Sequence, residues 1–435
     1  MKTSYLFTFL IFFAAVNSRA SDKNKEKALP KVNRVIPLST GGLENRGVFY
    51  FQNFETISDL KGEFHDSGNI SDSIMSVSQT DFFSSRNAIR NRYIPKSSYG
   101  EGQDPGASGW VWRYFGDNKL TSPASIGDTT PQLQIFAGWY HKFEEGFTSQ
   151  EGTGTLPPKM ARMRCFTTPW KAVYSVLFWV EGEKGFITIQ QHTKAPDVER
   201  EWLPNYNTTF YLNTPENLGR WIHFELGVTL GEGHRSDRVQ AWADGQLICD
   251  IVNQDLAGGH RTETLNAMSW DGYWNGGAPR EESRYFDDLV LSKNLVGPAR
   301  TGVNPVIEIA RLNNEDLNLS CRIEVAQTFQ HPLPINDPAR KQPKMEYKVV
   351  WRGESNESSF EVSSANGAFA NQATQLDYNT LYSVRLQQKA GNGAWSEWSQ
   401  WHAAFATQWA PGTTPESKVH PKGYLAGHDL GPGIK

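Results

Sequence analysis

Cysteine is scarce in this chain. Three residues in 435, Cys165, Cys249 and Cys321, cannot make a dense disulfide framework, and their spacing matches no zinc knuckle. Each sits in a strand-like run and reads as a buried thiol, with a Cys165–Cys249 bridge as the alternative. Excess positive charge is also missing. The 43 Lys and Arg against 47 Asp and Glu leave a net charge of −4, so no bulk basic field attracts nucleic acid. After Ala20 no apolar run approaches the length of a membrane span. No long segment carries a 3.6-residue period, which removes amphipathic helices as the main building unit. No Walker loop, zinc motif or Ser-His-Asp arrangement is evident.

The N-terminus supplies the clearest positive signal. "MKTSYLFTFLIFFAAVNSRA" has Lys2, an apolar run from Tyr5 to Val16, and Ser18-Arg19-Ala20 as a small-x-small cleavage site. This reads as a signal peptide over residues 1–20. The mature protein is expected to be secreted, extracellular or periplasmic, with no membrane anchor left after cleavage. Four sequons, at Asn69, Asn207, Asn318 and Asn356, matter only in a host that glycosylates them. Residues 21–45 are polar and read as a flexible leader. Aromatics reach 12%, with 15 Trp, more than a core strictly needs; exposed rings of this kind serve as platforms for sugars or partners.

From residue 46 to 300 the chain is a series of short alternating strands, among them "VFYFQNFE", "KMARMRCF", "KGFITIQQHT" and "RYFDDLVLS". Asp244-Gly245 marks a two-residue hairpin turn, because both positions tolerate φ > 0. So many strands without helices predict an all-β fold with one large two-sheet sandwich. Residues 303–408 form a second β unit. Leu376, Thr380 and Tyr382 have the spacing of a tyrosine corner, and Tyr382, Val384 and Leu386 alternate inward. The tail 409–435, rich in Gly and Pro, is expected to be disordered.

These stretches carry two resemblances. Residues 303–408 resemble a fibronectin type III domain, and "WSEWS" (Trp395–Ser399) resembles the Trp-Ser-x-Trp-Ser box of cytokine-receptor modules. That resemblance implies Arg385 stacked on Trp faces as a structural ladder. It departs from the family at Cys321, where a Trp is usual. In the large unit, the order "YFQNFE", "FAGWYHKFEEGF…LPPKMARMR", "GRWIHFELGVTL…DRVQAWADGQLI" and "SRYFDDLVLSKNLVGP" resembles the concanavalin-like jelly rolls. More narrowly it resembles polysaccharide lyases of the alginate and glucuronan type.

The lyase resemblance implies β-elimination on a uronate chain. Donors must neutralise the sugar carboxylate and hold the developing enolate; a base takes the C5 proton and an acid protonates the leaving oxygen. Lys159 matches the Lys-led strand of the alginate-type enzymes. Arg162 and Arg164 share a face with each other, and Gln190 and His192 share another pair of alternate positions. Gln190 then serves with the cations as neutraliser, His192 as base, and Tyr206 or Tyr273 as acid. Trp270 and Trp274, in "WDGYWNGG", are candidate sugar platforms. The family's paired tyrosines are missing from "ITIQQH", and Leu177 stands near its Arg position. The expected partner is an anionic polysaccharide. A hydrolase is disfavoured because the Glu-x-Asp-x-x-Glu strand of jelly-roll glucanases is absent. No cofactor is required, although Glu55 and Asp288 have the chemistry for a structural Ca²⁺ between first and last strands. The alternative function is a non-catalytic glycan-binding or adhesion protein on the same scaffold.

Overall fold

The computed structural model describes residues 30–33 and most residues between 47 and 410. The longest stretches outside the description are 96–108, 117–129, 149–157, 310–319 and 331–344. The signal peptide, the leader apart from 30–33, the tail beyond 410, and Glu55 also lie outside the described residues. Among the described residues no helix is long and apolar enough to cross a membrane.

After β1 (Pro30–Asn33), the large unit contributes sixteen strands in chain order. They are β2 (Val48–Gln52), β3 (Asp66–Gly68), β4 (Met75–Ser78), β5 (Ala88–Tyr93), β6 (Trp110–Tyr114), β7 (Gln134–Phe143), β8 (Lys159–Thr168) and β9 (Lys171–Glu181). There follow β10 (Lys184–His192), β11 (Arg200–Trp202), β12 (Tyr206–Tyr211), β13 (Trp221–Thr229), β14 (Asp237–Ala243), β15 (Gln246–Gln254), β16 (Ala267–Asp271) and β17 (Glu282–Ser292). One sheet runs β11-β10-β9-β8-β16-β6-β3, with β12 also paired to β10. The other runs β15-β14-β13-β7-β17-β5-β4, with β2 also paired to β17.

Strand alternation explains why the two sheets stack. Ala161, Met163 and Cys165 of β8, Val176 and Phe178 of β9, and Ile187 and Ile189 of β10 turn to one side. There they meet Trp139, Phe224, Leu226 and Phe286 from the second sheet in one buried cluster. Each such fully buried side chain contributes about 1.5–3 kcal/mol of transfer free energy. The result is an all-β sandwich with its core between the sheets. The Asp244-Gly245 turn joins β14 to β15 with φ of 47° and 75°, the left-handed pair that a two-residue hairpin needs. Cys165, Cys249 and Cys321 are all buried free thiols, so the Cys165–Cys249 bridge is not formed.

The remaining strands are β18 (Arg300–Thr301), β19 (Val306–Ile309), β20 (Cys321–Gln330), β21 (Met345–Ser355), β22 (Ser359–Glu361), β23 (Gly367–Phe369), β24 (Leu381–Gln388) and β25 (His402–Thr407). They form a six-stranded sheet, β18-β25-β24-β20-β21-β23, and a three-stranded sheet, β1-β19-β22. The leader is therefore not wholly irregular: Pro30–Asn33 pairs antiparallel with Val306–Ile309, and satisfies an otherwise open sheet edge. A second core gathers Ile323, Val325, Trp351, Val384 and Phe405.

Tyr382 is buried, and its hydroxyl accepts a hydrogen bond from the Asp377 N–H at 2.9 Å. Tyr382→Phe keeps the ring and deletes that acceptor. It is expected to lower stability by about 1–2 kcal/mol, read from a shifted denaturant midpoint at unchanged slope. Arg385 lies 4.7 Å from the Trp398 ring and 4.5 Å from the Trp401 ring, while Arg322 lies 4.0 Å from Trp395. Glu324 anchors the ladder by pairing with Arg385 at 2.6 Å and Arg352 at 2.7 Å. Burial raises the Glu324 carboxyl, but hydrogen bonds from Arg352 and Arg385 outweigh it and hold the group below its ordinary range.

Candidate functional site

The outer face of the first sheet, away from the core, gathers most of the polar residues nominated by the sequence. Its geometry depends on a register shift. Strict alternation would set Lys159 and Arg162 on opposite faces. In β8 the pairing with β9 shifts between Lys159 and Ala161, so Lys159 stands opposite Trp179 while Arg162 stands opposite Leu177. Met160 and Ala161 both turn into the core. Lys159, Arg162 and Arg164 therefore share the outer face.

Register orders that face into rungs. Gln190, Ser175, Arg164, Ala267 and Tyr114 face one another across five strands. The next rung is Thr188, Leu177, Arg162, Ser269 and Trp112. The third sets Phe186 beside Trp179 and Lys159, and Asp271 beside Trp110. Neighbouring strands lie about 4.8 Å apart, so Gln190 and Arg164 are about 10 Å apart at the backbone, within reach of one sugar carboxylate from both sides.

Charge on the face is positive. Arg162 pairs with the buried carboxylate of Asp271, whose other oxygen accepts from the Tyr273 N–H at 2.8 Å. Three cations, Lys159, Arg162 and Arg164, share this face with the Asp271 carboxylate. Arg162 and Arg164 sit 5.1 Å and 5.5 Å from the Trp112 ring. The Lys159 ammonium lies 4.2 Å from the Tyr273 ring and 4.8 Å from the Trp179 ring.

The face is also shielded: Lys159 is 6% exposed, Gln190 3%, and Ser175 and Ser269 0%. Gln190 Nε2, Ser175 Oγ, Ser269 Oγ and Trp179 Nε1 nonetheless have no hydrogen-bond partner. A buried polar group left unpaired costs about 1–3 kcal/mol, and such groups gather where a ligand completes them.

Several sequence expectations need correction. Trp270 alternates with Ser269 and Asp271, so it turns inward and is fully buried in the core. Trp274 is 1% exposed and meets Tyr93 edge-on at 5.2 Å. Neither ring is a sugar platform. Tyr206 pairs with core-facing Ile187, packs against the core and donates its hydroxyl to Gln254 Oε1 at 3.0 Å, so it is not the acid on this face. Tyr273 does reach the face, beside Lys159. The backbone of His192 ends β10 opposite Arg200, and its side chain lies outside the described residues. His192 stands six positions from Phe186, whose rung holds Lys159 next to Tyr273; that is about 20 Å along the strand.

Glu55 is outside the described residues, and no group of three or more His, Cys, Asp or Glu converges on a metal position among those described. Asp288 has φ of 53° and its N–H donates to the Asp287 carboxylate at 2.7 Å.

Sequence reasoning missed Asp271, Ser175, Ser269, Trp112 and Trp179, although alternation on β6, β9 and β16 would have placed each of them on the face of the nominated cations. It also missed Arg284. This residue rises from β17, crosses the sandwich interior and donates through Nη2 to the carbonyls of Lys159, at 2.5 Å, and Asp271. It clamps from behind the two backbones that carry the site. Burial holds Arg284 below its ordinary range, and burial followed by the nearby Arg284 charge holds His141 well below the usual imidazole range.

Near them Glu282 accepts from the Thr148 N–H at 2.9 Å, and burial pushes its carboxyl up to about 7. A raised carboxyl binds its proton more tightly in the folded state. Its contribution is fully present below the ordinary carboxylate range and is lost as pH rises through about 7. The expected loss reaches about 3 kcal/mol. Glu282→Gln should flatten the stability profile between pH 5 and 8, measured by denaturant titration at each pH.

No family model and no curated protein matches the chain. Among solved structures it is similar in fold to an endo-β-1,4-glucuronan lyase from the fungus Trichoderma reesei, at 10% identity over 56% of this chain and 94% of that one, with a TM-score of 0.41. It is similar to the alginate lyase vAL-1 from Chlorella virus, at 13% identity over 59% and 96%, with a TM-score of 0.34. The binding domain of botulinum neurotoxin serotype C1 overlaps 80% of this chain and 72% of its own, at 8% identity and a TM-score of 0.34.

Proposed function

We propose that the protein is a secreted polysaccharide lyase that takes a uronate-containing glycan onto the outer face of the first sheet and cleaves it by β-elimination. The observation that supports this reading is the convergence of Lys159, Arg162 and Arg164 with unpaired Gln190, Ser175 and Ser269 on one face. Guanidinium and amide donors suit a planar carboxylate, and their positive charge stabilises the enolate that forms when the C5 proton leaves. Tyr273 stands beside Lys159 and is the described residue placed to take that proton and return one to the leaving oxygen. Residues 303–408 act as an appended fibronectin-like module. Secretion follows from the N-terminal signal, and N-terminal sequencing of exported protein should read from Ser21.

The test is direct. The purified protein is incubated with alginate, glucuronan, ulvan and glycosaminoglycans. Elimination leaves an unsaturated uronate, whose conjugated double bond absorbs in the ultraviolet where the intact glycan does not. Tyr273→Phe should cut that rate by about 10²–10⁴-fold while retention on the same glycan is unchanged. The second reading is binding without cleavage. Retention on a glycan column with no absorbance change from any of these polymers would establish it.

A further inference from the structure

The outer face of the first sheet is divided along its length. On β8 and β16 it carries Lys159, Arg162, Ser269 and Asp271. On β9 and β10, in the same two rungs, it carries Leu177, Trp179 and Phe186. These three pack into a small apolar cluster separate from the core, with 1%, 3% and 6% of their surfaces exposed. Alternation explains the separation: Val176, Phe178 and Ile187, their chain neighbours, turn into the sandwich. The Trp179 and Phe186 rings stand 6.1 Å apart and nearly parallel, at 3°. An unsubstituted sugar is poorly matched to such a wall, because its hydroxyls lose water against carbon.

The cluster holds one polar atom of consequence. The Trp179 indole N–H is buried and has no acceptor. It sits in the rung of Lys159, whose ammonium lies 4.8 Å from the Trp179 ring. Both groups are donors, and neither can accept. A ligand group that completes this corner therefore presents an acceptor oxygen, brings no hydrogen-bonding hydrogen of its own, and has carbon around it. A carboxylate fails the last condition, and the arginines of β8 suit it better. A hydroxyl brings a hydrogen that would be left unpaired. The carbonyl and methyl of an ester-linked acetyl group meet all three conditions. The spacing agrees. Trp179 lies one strand across and two residues along from Arg162, about 8 Å at the backbone. The 2- and 3-hydroxyls of a uronate lie across the ring from its carboxyl-bearing carbon, so an acetyl group on either bridges that gap.

We infer that Leu177, Trp179 and Phe186 form a subsite for an O-acetyl group, and that the glycan taken by this face is an O-acetylated polyuronate. The Trp179 N–H donates to the ester carbonyl, and the Leu177 and Phe186 side chains enclose the methyl. No bond is made or broken at this corner; it selects the substrate. The inference rests on the glycan reading above and narrows it to one class of polymer.

Polyuronates in two forms test it. Alginate and glucuronan, each O-acetylated at the 2- and 3-hydroxyls, are compared with the same preparations after mild alkaline deacetylation, by affinity electrophoresis of the full protein. The acetylated form should bind about tenfold tighter, the combined effect of one buried methyl and one hydrogen bond. Trp179→Phe keeps an apolar ring and deletes the N–H, so it should reduce that ratio to about threefold, the share of the methyl. Leu177→Asn sets an amide against the methyl and should reduce the ratio as well. Where neither variant folds, the wild-type ratio decides. Equal binding of the two forms by the wild type overturns the inference and leaves the glycan reading standing. So does a ratio that Trp179→Phe leaves at its wild-type value, which marks a general affinity for acetylated polymer. Binding of no form of either polymer overturns the glycan reading itself, and the inference with it.

Discussion

Arg164→Gln is expected to weaken binding of an acidic glycan by about 30-fold, close to 2 kcal/mol, with little change in thermal midpoint. Arg164 stands in the rung that Gln190 and Ser175 complete, and it is the one guanidinium of the pair that Asp271 does not neutralise. Glutamine keeps a donor and much of the side-chain volume but removes the planar fork and the charge. Arg164→Lys keeps the charge and should recover only part of the loss, because an ammonium lacks the bidentate geometry. Affinity electrophoresis in polyuronate gels, at two salt concentrations, separates the two: the charge component fades with salt and the geometric component persists. Equal binding by wild type and Arg164→Gln would sink the assignment of this face.

Asp271→Asn should destabilise the large unit by about 3–5 kcal/mol. The side chain is fully buried, pairs with Arg162 and accepts from the Tyr273 N–H. The amide keeps the shape and deletes the only described carboxylate between Arg162 and Arg284. For the fraction that remains folded the sign reverses: the face gains one positive charge and its glycan affinity rises. Denaturation midpoints and binding thus move in opposite directions. A merely structural residue would lower both, so the pairing of outcomes is the discriminating result.

The fold was legible because strands advertise themselves at period two. The run Phe186-Ile187-Thr188-Ile189 states its two faces outright, and Asp244-Gly245 states its turn. The site was legible in pieces. Arg162, Arg164 and Gln190 could be aligned by parity alone. Lys159 could not, since a register shift moved it to the face that counting denies it. Trp270 shows the opposite error: a tryptophan in a Gly-rich aromatic segment invited a surface role, while simple alternation from Asp271 assigns it to the core. Arg284 was hidden for a different reason. Its strand looks like closing structure, and its partners are carbonyls contributed by residues more than a hundred positions away as well as near at hand. No local pattern encodes a hydrogen bond across a sandwich. The span from His192 to Tyr273 was equally invisible, because it is fixed by how far β10 runs past the rung that holds Lys159.

The pairing of Pro30–Asn33 with Val306–Ile309 has a practical consequence for dividing this molecule. A fragment beginning at residue 303 would carry β19 without its outer neighbour. One row of backbone N–H and C=O groups would then face water along Val306–Ile309. Exposed rows of that kind recruit further strands, so the separately expressed fragment should self-associate or aggregate. Supplying residues 26–36 as a free peptide, or fusing them ahead of residue 303, should restore a monodisperse species in light scattering. A bulky tag placed directly against Pro30 would disturb the far end of the chain rather than the near one.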